Sequence, residues 1–487
     1  MRALSVALLA ALGSASCAAI LGLEAGERIP DELFPDGARR TEPIGDGDSS
    51  QPREASSTDA PPPPLGCTPE PVRCVDSDAA SLASSTARGD CPLQFSEALT
   101  LSAAGPQALV PSIASDGEGS AIVAWEESRR GPNEDIPLAM RVSTNDGLFF
   151  APETFLGNPG PSSDNDAPTV VRDPSGGYVL VWRGLDSSQN TGTAVWASRS
   201  STPRGPFSAP VRATSTRIKA IYAPSVFVDG TGTIFVAFQA NSRLVNGRVE
   251  VGPQIHVVSS SDHGVTWSPE TTLPNTDLPV HPRIAVAGQG DVWVTYVTER
   301  GQPWGSNGNV VFAARRRTGF TSFDAPVPLS GGMSVVPDPS SMAIQGSQLF
   351  LAFVVGDRRT ATRVMLARSP NGGTTWEPLY QLDDDNCQAI HLAPELRSGA
   401  SGKIHAVYLD NRLGQYSFTV WYTESTNGID FLPSSRVFDK TTRTVDPFGR
   451  YRGLLTLDVR GGRSLVGWSA FPNGTNGEVR LARGVAR

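Results

Sequence analysis

An aromatic residue returns about every 57 residues through most of this chain, and that period constrains the fold more than any other feature. Trp125, Trp182, Phe238, Tyr296, Phe353, Tyr408 and Trp468 each close an apolar run, at successive spacings of 57, 56, 58, 57, 55 and 60 residues. Fourteen residues before the first six stand Pro111, Pro168, Pro224, Pro282, Pro339 and Pro394, and Leu454 takes that place in the seventh. A fixed period marks units that cannot bury an apolar face alone and must stack on their neighbours. Between proline and aromatic each unit reads strand, Gly- or Ser-rich turn, strand, as in 224–238. A third strand follows, seen in 255–260 and 363–369.

The turn after that third strand carries a second signal in phase with the first. Ser260, Asp262, Gly264, Thr266 and Trp267 fit the Asp-box pattern S-x-D-x-G-x-T-W in full. Ser369, Asn371, Gly373, Thr375 and Trp376 fit it with Asn for Asp, and weaker copies lie at 143–150 and 425–431. The chemistry suits a hairpin clasp: Asp or Asn accepts backbone N–H groups, Gly supplies positive φ, and the aromatic buries beneath. Each box leads into a fourth strand, so the expected fold is all-β, a seven-bladed β-propeller of four-stranded antiparallel blades. The seventh unit ends soon after its third strand, while Phe95 to Leu101 reads as a fourth strand with no first three before it. Pairing the two closes the ring and removes an exposed edge.

Composition supports this organisation and narrows the partners. Gly 49 and Pro 40 against 18% charged residues suit many turns between short strands. A net charge of −8 gives no overall basic field for nucleic acid. Met1-Arg2, an apolar stretch to Leu12 and small residues up to Cys17 read as an export signal. Ser14-Ala15-Ser16-Cys17 resembles a bacterial lipobox, with Ser14 where a Leu-like residue is usual. The expected boundaries are therefore 1–17 leader, 18–90 acidic Pro- and Ser-rich tether, and 91–487 propeller. The expected location is the bacterial cell envelope, at the outer membrane, with Cys17 lipidated as the only membrane attachment. Cleavage to a secreted product is the alternative.

Asp boxes on a propeller resemble the sialidase superfamily, also described by BNR repeats, over roughly 91–487. The resemblance implies the fold, and it leaves activity open because the scaffold hosts hydrolases, receptors and binding modules. Sialidases are six-bladed, whereas seven units are counted here. They grip the sugar carboxylate with three arginines, one in an Arg-Ile-Pro motif entering the first blade, and use a Tyr activated by Glu with an Asp as acid/base. Arg28-Ile29-Pro30 has those letters but falls in the tether, and the first blade opens on Val110-Pro111-Ser112-Ile113 without arginine. No catalytic residue is assigned.

In a propeller the loops entering the first strand and leaving the second open on one face, opposite the Asp-box turns, and polar groups converging there form the default pocket. An acid followed by arginine recurs after the second strand, at Glu127 with Arg129, Glu299-Arg300, Asp357-Arg358 and Asp410 with Arg412. Such pairs either order the loop or form a saccharide-binding rim. Near the first-strand entrances lie His281, Arg283, Glu395 and the run Arg450-Tyr451-Arg452, the nearest approach to an anion clamp with a phenol beside it. The candidate ligand residues are Arg129, Arg283, Asp410, Arg412, Arg450, Tyr451 and Arg452. No cofactor is expected. Asp383-Asp384-Asp385-Asn386 reads either as hard oxygen ligands for a structural calcium or as a solvated acidic loop. Five histidines show no zinc spacing. Cys67, Cys74, Cys91 and Cys387 allow three pairings; Cys91 and Cys387 fall on opposite faces, so Cys387 is expected to bond Cys67 or Cys74. The expected function is a monomeric, non-catalytic module for a glycan or an extracellular protein. The alternative is a divergent exo-acting glycoside hydrolase or lyase.

Overall fold

The computed structural model describes residues 93–485 apart from 104–106, 129–136, 157–164, 187–191, 216–217, 246–247, 275–277, 289, 300–307, 358–360, 385–388, 413–417, 438–454 and 472–476. Cys17, Cys67, Cys74, Cys91, Cys387 and the Arg28-Ile29-Pro30 run lie outside the described residues. The described chain forms seven four-stranded antiparallel blades, at 107–156, 165–212, 218–272, 279–328, 341–381, 391–436 and 455–485, the last completed from the N-terminal side. The seven period-setting aromatics all sit in second strands and are fully buried. Each removes on the order of 200 Å² from water, roughly 5 kcal/mol at about 25 cal/mol/Å² as an upper bound.

Apolar alternation on strands buried on both faces decides where the core lies. Among the described residues it is seven clusters rather than one, each filling the seam between two neighbouring blades. The seam between blades seven and one joins Leu465, Val479 and Leu481 to Trp125, Phe150 and Leu101. The closing strand is not continuous. It is two short pieces, Gln94–Phe95 and Leu99–Thr100, both antiparallel to the last strand, Glu478–Val485. Ser96 N and Leu101 N still donate to Arg483 O and Val479 O, at 2.9 and 2.8 Å, so the fourth strand of blade seven does come from the other end of the chain.

All four Asp-box copies form clasps. In blade three Asp262 Oδ1 accepts Val265 N and Thr266 N at 3.1 and 2.9 Å, its Oδ2 accepts Thr266 Oγ1 at 2.6 Å, and Ser260 Oγ accepts Gly264 N at 2.8 Å. Thr266 and Ser260 hold the Asp262 carboxyl well below the usual carboxylate range. In blade five Gly373 N donates to Ser369 Oγ at 2.8 Å and Thr375 N to Asn371 Oδ1 at 2.9 Å. Ser143 with Asn145 and Ser425 with Asn427 repeat the pattern in the weaker copies. The aromatics Trp267 and Trp376 are only half-buried, against the expectation of full burial, because the turn projects past the blade end. They cap seams instead: Trp376 meets Trp293 of the preceding blade edge-on at 6.2 Å, and a Cβ on Gly373 would collide with that same Trp293 ring.

Candidate functional site

The first strand of every blade faces a central channel of about 660 Å³. Its local geometry follows from the repeated proline. A proline cannot donate to the ladder, so the first strand bulges there, taking one extra residue against its partner in blades one, two, three, four and six. The preceding residue is driven to positive φ in four blades, at Val110, Ala167, His281 and Ala393, with φ of 53, 47, 55 and 50°. The previous blade supplies acceptors for the displaced N–H groups. Val110 N donates to Ser469 Oγ at 3.1 Å, Ala167 N to Glu126 Oε2 at 3.1 Å and Ala393 N to Asp338 Oδ2 at 2.6 Å. Two residues past the proline, Val170 N, Ile284 N and Leu396 N donate to Ser112, Ser225 and Ser341 of the blade before.

The position just after the proline is thus Ser or Thr in most blades, and the two charged exceptions build the polar heart of the channel. Arg283 donates through Nε to Ser340 O at 2.9 Å and reaches past blade five to Glu395 Oε1 at 3.3 Å. Glu395 Oε2 accepts Ser341 Oγ at 3.1 Å and Arg397 Nη1 at 3.2 Å. Asp116, Arg172, Asp458 and Arg460 line the far end, where Asp458 accepts Ser115 N at 2.8 Å across the closing seam. The arrangement offers fixed guanidinium donors beside a carboxylate already neutralised by them, which suits hydrogen-bonded recognition of hydroxyls or an anion.

The second cluster is buried between blades five and six. Arg412 bonds Asp410 Oδ2 through Nε at 2.6 Å and Asp384 Oδ1 through Nη1 at 2.7 Å, and it stacks over Trp421 at 4.1 Å. Burial pushes the Asp384 carboxyl up, but Arg412 and the Ser434 N–H outweigh it and hold it below its ordinary value. Burial drives the Tyr408 phenol well above its ordinary range. His391 Nδ1–H donates to Thr362 O at 2.7 Å, with Nε2 3.6 and 3.7 Å from Asp383 and Asp410. Asp383 meanwhile accepts Val364 N at 2.7 Å. Chemically this is a lock that fixes the loops, with its phenol unsuited to attack at neutral pH.

Of the candidate ligand residues, Arg283 lines the channel, Asp410 and Arg412 form the buried lock, and Arg129, Arg450, Tyr451 and Arg452 lie outside the described residues. Asp383 and Asp384 are bonded within the protein, while Asp385 and Asn386 lie outside the described residues. Among the described residues no group of three or more His, Cys, Asp or Glu has the geometry of a metal site. Arg397 was missed from sequence. The signal was its place two residues after Glu395, on the same face of a strand.

A model of the BNR repeat-like domain family matches residues 176–431, more than half of the chain. Among curated proteins none matches. Solved structures similar to this chain include a protein of unknown function from Dyadobacter fermentans DSM 18053, at TM-score 0.48 and 12% identity, covering 81% of this chain and 100% of that one. An ulvan lyase bound to an oligosaccharide is similar at TM-score 0.49 and 14% identity, over 80% of this chain and 95% of its own. A NanB sialidase variant from Streptococcus pneumoniae is similar at TM-score 0.44 and 9% identity, over 81% and 93%.

Proposed function

The chain belongs to the BNR repeat-like family, and from that premise we propose that it is an exported, lipid-anchored envelope propeller that binds a glycan in its channel without transforming it. The observation that carries the reading is the Arg283, Glu395 and Arg397 group. Sugar hydroxyls donate and accept at once, and here fixed donors flank a fixed acceptor in a channel of about 660 Å³, within the size range of small-ligand sites. Both oxygens of Glu395 already accept from guanidinium groups or a hydroxyl, which supports its reading as a fixed acceptor.

A glycan-array screen with the mature chain tests this, followed by titration of the best hit. Arg283→Ala is expected to weaken binding at least tenfold with the glycan recovered intact. Unchanged affinity would move the site elsewhere, and a hydrolysed or eliminated product would establish the divergent glycosidase or lyase instead. Lipidation has its own readout. The wild-type chain should carry acyl groups on Cys17 by mass spectrometry and partition into detergent, whereas an aqueous, unacylated product would establish secretion.

A further inference from the structure

The clasp turns use Ser, Asp or Asn, and Gly internally; the residue after the glycine gives them its N–H, as Leu148 N to Asn145 O and Val265 N to Asp262 O, but not its side chain, and Phe320 N closes the matching turn of blade four on Arg317 O. In blades one, three and four that residue is apolar and exposed: Leu148 after Gly147, Val265 after Gly264 and Phe320 after Gly319. Leu148, Val265 and Phe320 are 60, 43 and 63% exposed, and Phe149 beside Leu148 is 68% exposed. Single exposed apolar residues are ordinary, but recurrence at the position that closes this turn in blades one, three and four is a pattern. Equivalent positions in different blades stand at the same level around the ring. They form an arc of separate protrusions on the Asp-box face, not a groove that would enclose a peptide.

The chain enters the propeller at that same face. Gln94 pairs with Val485, Val485 pairs with Arg463, and Arg463 forms an ion pair with Asp146, two residues before Leu148. The 92 residues before Leu93 therefore join beside the first of the apolar tips.

We infer that the Asp-box face seats on a lipid bilayer through Leu148, Phe149, Val265 and Phe320, turning the opposite face of the propeller away from the membrane. The inference rests on the export and lipidation at Cys17 proposed above. An acyl group at Cys17 would confine the propeller to the neighbourhood of the lipid, so a few inserting side chains suffice where free in solution they would bind weakly. Attachment then has two parts, and the anchor is not the only one.

The test uses residues 17–487 carrying Cys17→Ser, made without the leader, and sedimented with phosphatidylcholine vesicles, whose zwitterionic surface reads apolar insertion rather than charge. This chain should bind measurably, and adding Phe149→Asp with Phe320→Asp should lower its partition coefficient at least tenfold. The thermal midpoint should not move, because neither ring is part of the core. No binding by the Cys17→Ser chain, or equal partition with and without the two aspartates, would overturn the proposal. So would a concentration-dependent dimer in light scattering that the aspartates abolish, since a second copy would then cover the face. Acylation of wild type and glycan binding are read separately, so failure here is distinguishable from failure of the proposed function.

Discussion

His405 is the residue whose environment most changes its ordinary chemistry. Burial, with Lys403 adding and Glu424 opposing, lowers its imidazole to about 4. Its Nδ1 lies 2.5 Å from Tyr422 OH, which donates to Glu424 Oε2 at 2.9 Å, so the neutral ring donates to the phenol oxygen. Between pH 6.5 and about 4 the unfolded chain takes up this proton and the folded chain does not, so stability falls as pH falls through that window. Urea denaturation at about pH 7 and pH 4.5 should show wild type losing about 2 to 3 kcal/mol more than His405→Phe. Equal losses would mean the ring is not held neutral. None of this was legible from sequence, where His405 was one of five histidines without metal spacing. Arg283 and Glu395 were more legible, since both break a Ser or Thr pattern after the proline. The Asp410 and Arg412 pair read identically as rim or lock, because sequence spacing does not record whether a guanidinium is covered by a tryptophan.

At the scale of the strand, the proline that marks each blade also threatens it, and bulges with borrowed acceptors are the remedy. Ser225 Oγ accepts the buried Ile284 N–H at 3.1 Å from the next blade. Ser225→Ala leaves that N–H without its acceptor and should cost about 1 to 3 kcal/mol in denaturant midpoint measurements. A cost below about 0.5 kcal/mol would show that the stitch is replaceable by water. Sequence supplied the strands, the turns and the Asp boxes, because period-2 apolar runs and clasp residues leave local marks. It did not supply the bulges. Val110, Ala167 and Ala393 are not residues that favour positive φ, and only the ladder around them forces it. The closing strand was placed in the right blade but drawn as one piece, since its break at 96–98 depends on the opposing strand.

Across the whole molecule, stability is distributed over seven seams, and the seam between blades seven and one has a strand from each end of the chain beside it. Removing residues 93–101 from the chain uncovers the strand Glu478–Val485 and withdraws the fully buried Leu101. The expected loss is about 4 kcal/mol or more, read from urea unfolding, with partial recovery on adding a peptide of residues 93–103. An unmoved midpoint would mean that blade seven stands on three strands. The same closure sets a timetable. A chain threaded out amino end first delivers Gln94 to Thr100 before 478–485 have emerged, and the pairing spans nearly the whole folded length. Until residues 478–485 arrive, those early strands wait with bare edges among neighbours doing the same. Completion of the ring is therefore the last step in assembling the seven blades, and the interval before it is when proteases and mispairing between incomplete copies have their opportunity.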